Sequence, residues 1–315
     1  MRKIWKPLIA VVAIGLAAFL LYRTLSRYSM DQLIEAVAAI PVPRLAGVAG
    51  FAAASYMCLS GFDYLALRYV GRPLPYRKAA WASFTSLSLG HNIGLAFLSS
   101  GAVRYRFYTR WGLSAEQVAK IIVFCGTTVG LGLLVLGGAA LLLRTGLAVE
   151  ITGLSRPIVI VLGIASLALP ALYLVLAAFV RKPLRIWRWS LEMPPLGLAV
   201  GQVILGSVNF ACVAACLHQA LAAVTDVAYA GVASVYVIAN TAALVTHVPG
   251  GLGVIESVVM YLLPGQDLIG PLLVFRFVYF LVPLCIGILI FLGTELACRR
   301  KRRARPDMAE APARA

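Results

Sequence analysis

Carboxylates are scarce in this chain: 12 Asp and Glu stand against 28 Lys and Arg, with only three His, for a formal net charge of +16. Charged residues of both signs together make up only 13% of the sequence. There is no Gly-x-Ser-x-Gly elbow, no His-Glu-x-x-His pair, no Walker loop and no polar stretch large enough to fold as a soluble nucleotide- or tRNA-binding domain. No nucleophile and base can be picked out, and no cofactor is implied. Of the six cysteines, Cys212 and Cys216 sit one helical turn apart, but no neighbouring His or carboxylate completes a metal set. They read as small packing residues.

What fills the chain is hydrocarbon. Hydrophobic residues make up 61% and the mean hydropathy is +0.91, in apolar runs that recur at the length of membrane-spanning helices. The expected fold class is therefore an all-α polytopic membrane protein. Its basic residues lie between the apolar runs rather than in one domain, which fits topology signals and anionic lipid and excludes a nucleic-acid partner.

The runs are Leu8–Tyr22, Leu45–Leu67, Ala79–Val103, Val118–Leu143, Ile158–Val180, Leu196–Val224, Val227–Leu263 and Leu268–Leu296. The first, behind Arg2, Lys3 and Lys6, reads as a retained signal anchor. Asp31 and Glu35 mark an amphipathic surface helix. The links at 68–78, 104–110 and 181–188 and the C-terminus are basic, whereas Asp226 and Asp267 mark acidic links. With Lys and Arg retained in the cytoplasm, 79–103 cannot cross once without exporting Arg104, Arg106 and Arg110. It is expected to be a re-entrant hairpin, and 227–263 a second one entering from outside. Six full spans remain, with both termini cytoplasmic.

The same series then repeats in opposite orientation. An offset of about 152 residues lays 45–67 on 197–219, 79–103 on 231–255 and 118–143 on 270–295. Pro43 falls on Pro195, and Gly101-Ala102-Val103-Arg104 on Gly253-Val254-Ile255-Glu256. Two inverted repeats are expected, about 1–146 and 153–297, followed by a basic, disordered tail over 298–315. Inverted repeats place substrate near the midplane, where broken helices of both halves meet.

The break is most legible at Pro249, Gly250, Gly251 and Gly253, with Gly101 at the matching place in the first half. Candidate substrate-binding residues surround these positions. Arg104 and Glu256 occupy matched positions with opposite charge, suited to a phosphate and an amine on one head group. Arg106 flanks the first. His91 with Asn92, and His247, lie at the two hairpin tips, where a titrating imidazole would permit proton coupling. Arg276 lies deep in the last run and needs a partner, for which Glu256 and Asp63 are the candidates. Asp63 has Arg68 as an alternative mate near the membrane surface.

Gly61-Phe62-Asp63-Tyr64-Leu65-Ala66-Leu67-Arg68-Tyr69-Val70-Gly71-Arg72-Pro73-Leu74-Pro75-Tyr76, His91-Asn92-Ile93-Gly94, Ser100-Gly101-Ala102-Val103-Arg104-Tyr105-Arg106 and Pro249-Gly250-Gly251-Leu252-Gly253-Val254-Ile255-Glu256 follow in order. Together they resemble the N-terminal membrane region of lysylphosphatidylglycerol synthase/flippase proteins, the bacterial multiple-peptide-resistance factors. The resemblance implies a flippase-like protein of the bacterial inner membrane that moves aminoacylated phosphatidylglycerol or a related lipid between leaflets. Full-length members continue into a synthase domain, whereas this chain stops at Ala315. The expectation is a stand-alone translocator, or else a lipid-binding accessory subunit of a separate aminoacyl-lipid synthase that transports nothing itself. Whether it forms a homo-oligomer stays open.

Overall fold

The computed structural model describes residues 30–93, 96–180, 184–186, 189–263 and 268–303. The apolar run 8–22 and the end of the tail lie outside the described residues. The chain order is α1 (Met30–Ala39), α2 (Val42–Tyr69), α3 (Tyr76–Ile93), α4 (Ala96–Arg110), α5 (Ala115–Leu143), α6 (Thr145–Thr152) and α7 (Arg156–Phe179). A two-stranded ribbon follows, β1 (Leu184–Ile186) antiparallel to β2 (Trp189–Leu191), with Arg185 opposite Ser190. Then come α8 (Leu196–Leu221), α9 (Tyr229–Thr246), a 3₁₀ turn at Pro249–Gly251, α10 (Val254–Leu262), α11 (Ile269–Arg276), a π turn at Phe277–Leu281 and α12 (Val282–Arg303). The ribbon lies in a connecting loop and leaves the fold class helical. α12 carries its helix into the basic run.

Element bounds reproduce the internal repeat. Adding 152 to the limits of α3 and α4, 76–93 and 96–110, gives 228–245 and 248–262, against observed limits of 229–246 for α9 and 249–262 for the turn with α10. The same shift carries α5, 115–143, to 267–295, against 269–297 for the apolar part of α11–α12. The equivalent helices α2 and α8 run antiparallel to each other. A Cβ on Gly61 would meet Leu205 at 2.8 Å, and one on Gly201 would meet Leu65 at 2.8 Å, so the partner number falls as the residue number rises. That relation makes the repeats inverted.

Each hairpin's first limb crosses to the other repeat. α3 packs on α12, where a Cβ on Gly287 would strike Ser88, and α9 packs on α5, where a Cβ on Gly137 would lie 3.2 Å from Val237. The crossing of α5 and α8 is closer still, with Gly132 and Gly206 in direct backbone contact. Only glycine permits that approach, the usual way for helices to gain contact where lipid supplies no hydrophobic drive. Gln202 secures the crossing, donating to the Phe124 carbonyl and Thr128 Oγ1 at 3.0 Å each and accepting from the Tyr173 hydroxyl on α7. α7 otherwise shows the outside an apolar face, including Val161, Ile164, Leu172 and Phe179.

Local chemistry explains the elements. α5 opens on Ser114, whose hydroxyl caps the Gln117 amide while the Gln117 side chain returns the bond to the Ser114 amide. α3 is too polar to face lipid, and its Ser83, Thr85, Ser86 and Ser88 are buried in protein instead. Ser83 ties it to α2 through the Leu59 carbonyl at 2.9 Å. The two limbs of the first hairpin touch where a Cβ on Gly90 would come 2.7 Å from Ser100 Cβ. At 15 and 9 residues, α4 and α10 rise only about 22 and 14 Å, well short of a hydrocarbon core of about 30 Å.

Six described helices are long and apolar enough to cross: 42–69, 115–143, 156–179, 196–221, 229–246 and 269–297. Five coincide with expected spans. The sixth, α9, is the first limb of the second hairpin, and α10 returns along it. Because both hairpins return, Arg72 and Ala115 should share one side of the membrane and Ala228 should lie on the other. In a cysteine-free background, single cysteines at 72 and 115 should react with an impermeant thiol reagent from the same side and one at 228 from the opposite side. Opposite labelling at 72 and 115 would turn the first hairpin into a crossing.

Candidate functional site

A cavity of about 510 Å³ lies between the repeats. Its wall takes Leu59 and Phe62 from α2, Leu87 and His91 from α3, Ser100 and Arg104 from α4, and Ile122, Cys125 and Val129 from α5. The second repeat adds Asn209 and Phe210 from α8, Tyr236, Asn240 and Leu244 from α9, and His247, Val248, Gly250 and Gly251 together with Ile255, Tyr279 and Phe280. This volume falls within the range of small-molecule sites, and the wall is chiefly apolar with a few polar groups.

Arg104 is the charged residue of that wall, and it is not free. Nε and Nη2 donate to the two oxygens of Asp63 at 2.9 and 2.8 Å, and Nη1 donates to Ser100 Oγ at 3.1 Å. Asp63 is fully buried and Arg104 is 3% exposed. Tyr108, one turn along α4, donates its hydroxyl to Asp63 at 2.7 Å, and the Cys125 thiol approaches the other oxygen at 4.0 Å. Asp63 therefore does not pair with Arg68, whose guanidinium lies over the Tyr64 ring at 4.5 Å. A partner 41 residues away wins because a carboxylate on the inward face of α2 can be compensated only from within.

The second ion pair holds the broken helix. Arg276 Nε donates to Glu256 at 2.5 Å, Nη1 to the Gly250 carbonyl at 2.9 Å and Nη2 to the Gly251 carbonyl at 3.3 Å. Glu256 also accepts the Gly253 amide at 2.9 Å. Backbone unwound between α9 and α10 thus finds its partners in one guanidinium and one carboxylate, as unwinding at membrane depth requires. Gly250, Gly251 and Gly253 have φ of +61°, +59° and +83°. His247 joins them at φ +53°, its Nδ1 2.9 Å from the Val245 carbonyl.

Three sequence expectations change here. Gly101 does not break its helix: it lies inside α4, where a Cβ would come 3.0 Å from Ile122. Among the described residues the unwound helix segment is in the second repeat, where Pro249 is followed by two glycines. Glu256 does not meet Arg104 across a shared head-group site; each has its own mate, and only Arg104 is on the cavity wall. Arg106 also turns away from the cavity. It grips Glu295 of α12 with two bonds of 2.6 Å, and Arg110 binds the same carboxylate. Glu295 was missed, although a lone carboxylate near the end of the last apolar run, opposite the basic 104–110 link, was its signal.

Asn92 is structural in its contacts. It donates to the Ser88 carbonyl at 2.8 Å and to the Phe280 carbonyl at 3.3 Å, joining the first hairpin tip to the π turn. Pro283 explains that turn, because it has no amide for the Tyr279 carbonyl one helical turn back. The Tyr56 hydroxyl occupies that carbonyl at 3.3 Å. Beside it Ser55 donates to Asn209 at 2.7 Å and lies 2.9 Å from the Tyr279 hydroxyl. With its single proton given to Asn209, Ser55 must accept from Tyr279. Asn209, Tyr279, Tyr236 and Asn240 escaped sequence reasoning, since each sits within an apolar run with no motif around it.

Residues 8–287 match the family model described as the lysylphosphatidylglycerol synthase TM region. The chain belongs to this family. It is 30% identical over 311 residues to the uncharacterized protein slr0712 of Synechocystis, with 96% of this chain and 97% of that protein aligned. It is also 29% identical over 268 residues to the inner membrane protein YbhN of Escherichia coli, covering 82% of each. Family and architecture together make this a multi-pass helical membrane protein.

Proposed function

We propose that this family member moves phosphate-bearing lipids between the leaflets of a bacterial cytoplasmic membrane, without ATP, through the cavity between its repeats. The observation that carries the reading is the cavity's wall. Apolar side chains from both repeats accommodate hydrocarbon, and one guanidinium suits a phosphate through paired hydrogen bonds. Membership of the lysylphosphatidylglycerol synthase TM region family and likeness to an inner membrane protein support it. Phosphatidylglycerol and its aminoacylated forms are the proposed cargo. The basic links at 68–78 and 104–110 orient both termini toward the cytoplasm, where a separate aminoacyl-lipid synthase would be a partner.

Purified protein reconstituted with head-group-defined fluorescent lipids tests this. Leaflet-specific quenching should show labelled phosphatidylglycerol crossing well above the protein-free rate. Arg104→Gln should slow it tenfold or more, the equivalent of roughly 1.5–3 kcal/mol for a desolvated charge-assisted contact. Lipid bound but not moved would favour the accessory-subunit reading. Neither binding nor movement would end both.

A further inference from the structure

Charge counting at the cavity wall points past the identity of the cargo to how its movement is energised, and it rests on the translocase reading above. Arg104 is one positive charge, already neutralised by Asp63 with two bonds to one face of the guanidinium. An arriving phosphatidylglycerol brings a second negative charge. Whether it displaces Asp63 or shares the guanidinium with it, one cation and two anions leave a net negative charge in a protein interior. Such a charge is expelled or neutralised by a proton.

We propose that Asp63 takes up that proton, so that phosphatidylglycerol, with its single negative charge, moves together with one proton and the transfer is electroneutral. The step balances. A proton from water on the side of admission adds to a carboxylate oxygen of Asp63, and the lipid phosphate binds Arg104. When the lipid leaves on the other side, the carboxylic acid releases its proton there and the Asp63–Arg104 pair re-forms.

The surroundings of Asp63 suit the exchange. It stands one side chain behind the wall, since Arg104 and Cys125 both line the cavity and both approach its oxygens. Tyr108, which donates to the carboxylate, can turn its hydroxyl to accept from the acid. Of the other titratable groups near Asp63, on α2 itself Tyr56 donates to the Tyr279 carbonyl, Tyr69 donates to the Glu192 carbonyl, and Cys58 is half-buried. His91 of α3 lines the same cavity, and Tyr279 is held by Ser55. On α8, His218 faces the Val227 carbonyl and Cys216 the Val48 carbonyl, and Arg68 covers Tyr64. The group competing directly for the guanidinium is Asp63, so the proton belongs there rather than on His91.

The test uses the whole protein in vesicles containing a lumenal pH dye, with the membrane potential clamped by valinomycin and equal potassium. A short-chain fluorescent phosphatidylglycerol is added outside. Lipid arrival in the inner leaflet should acidify the lumen by one proton per lipid, and an imposed gradient, acid outside, should drive accumulation inward. Lipid arrival without acidification overturns the coupling and leaves the translocase intact. Absence of lipid movement overturns the translocase and the coupling with it.

Asp63→Asn separates the possible proton sites. Arg104 then stays positive, so the variant should lose the acidification and respond instead to membrane potential. His91→Gln should still move one proton per lipid, whatever its rate of lipid movement. Lost acidification in His91→Gln, with Asp63→Asn still coupled, would place the proton on the histidine and overturn the assignment. If Asp63→Asn does not fold, the stoichiometry of the native protein and of His91→Gln still decides.

Discussion

Arg276→Gln should destabilise the protein by about 3–5 kcal/mol, because it leaves the Glu256 carboxylate without its cation and the Gly250 and Gly251 carbonyls without a charged donor. Arg276 is 5% and Glu256 12% exposed, so water can compensate little of that loss. Glu256→Gln keeps the Gly253 cap position and should cost less. Adding Glu256→Gln to Arg276→Gln should recover part of the loss, since a buried unpaired charge disappears. Reversible denaturation in detergent, run as a double-mutant cycle, reads these energies. Additive losses would mean that the two side chains do not meet as the structure places them.

Gly251→Val should abolish lipid movement while leaving the protein in the membrane. At φ +59° a β-branched residue meets a strained backbone costing about 1–3 kcal/mol. Its Cβ would also lie 3.0 Å from both Ala243 Cβ and Ile255 Cδ1, and overpacking adds about 1–3 kcal/mol. Relief requires the turn between α9 and α10 to shift, and that turn forms part of the cavity wall. Gly71→Ala is the control. It has a similar φ, +66°, but open space around it, and it lies in a loop outside the cavity. Movement surviving Gly251→Val at the native rate would show that the unwound segment is not part of the path.

Much of the architecture was legible because membrane chemistry writes it in composition. Apolar length marked the spans, and the position of Arg104, Arg106 and Arg110 forced the first hairpin to return. Pro249 with Gly250, Gly251 and Gly253 announced the break, since proline ends a helix and glycine takes positive φ at little cost. Gly101 misled because a glycine alone does not end a helix. In α4 it serves close packing against Ile122.

Partners were harder to read than residues. Charges that must be paired inside a membrane were visible as Asp63, Arg104, Glu256 and Arg276, but sequence spacing carries no information on which helices touch. Asp63 lies 41 residues from its mate and Arg106 lies 189 from Glu295, distances set by packing between helices. Matched positions in the two repeats suggested that Arg104 and Glu256 share a ligand. Inverted repeats relate backbones, however, and each side chain answers its own surroundings: Asp63 for one, Arg276 for the other.

Site-resolved lipid cross-linking tests most directly whether cargo passes between the repeats. A phosphatidylglycerol carrying a photoreactive acyl chain would be activated in vesicles with the native protein, and the modified residues located by peptide mass spectrometry. Adducts are expected on cavity residues of both halves, such as Ile122 and Leu59 from the first and Leu244 and Ile255 from the second. They should be reduced when an excess of unlabelled phosphatidylglycerol is present. Adducts confined to the exposed face of α7, at Val161, Ile164 and Leu172, with none on the cavity wall, would contradict passage between the repeats.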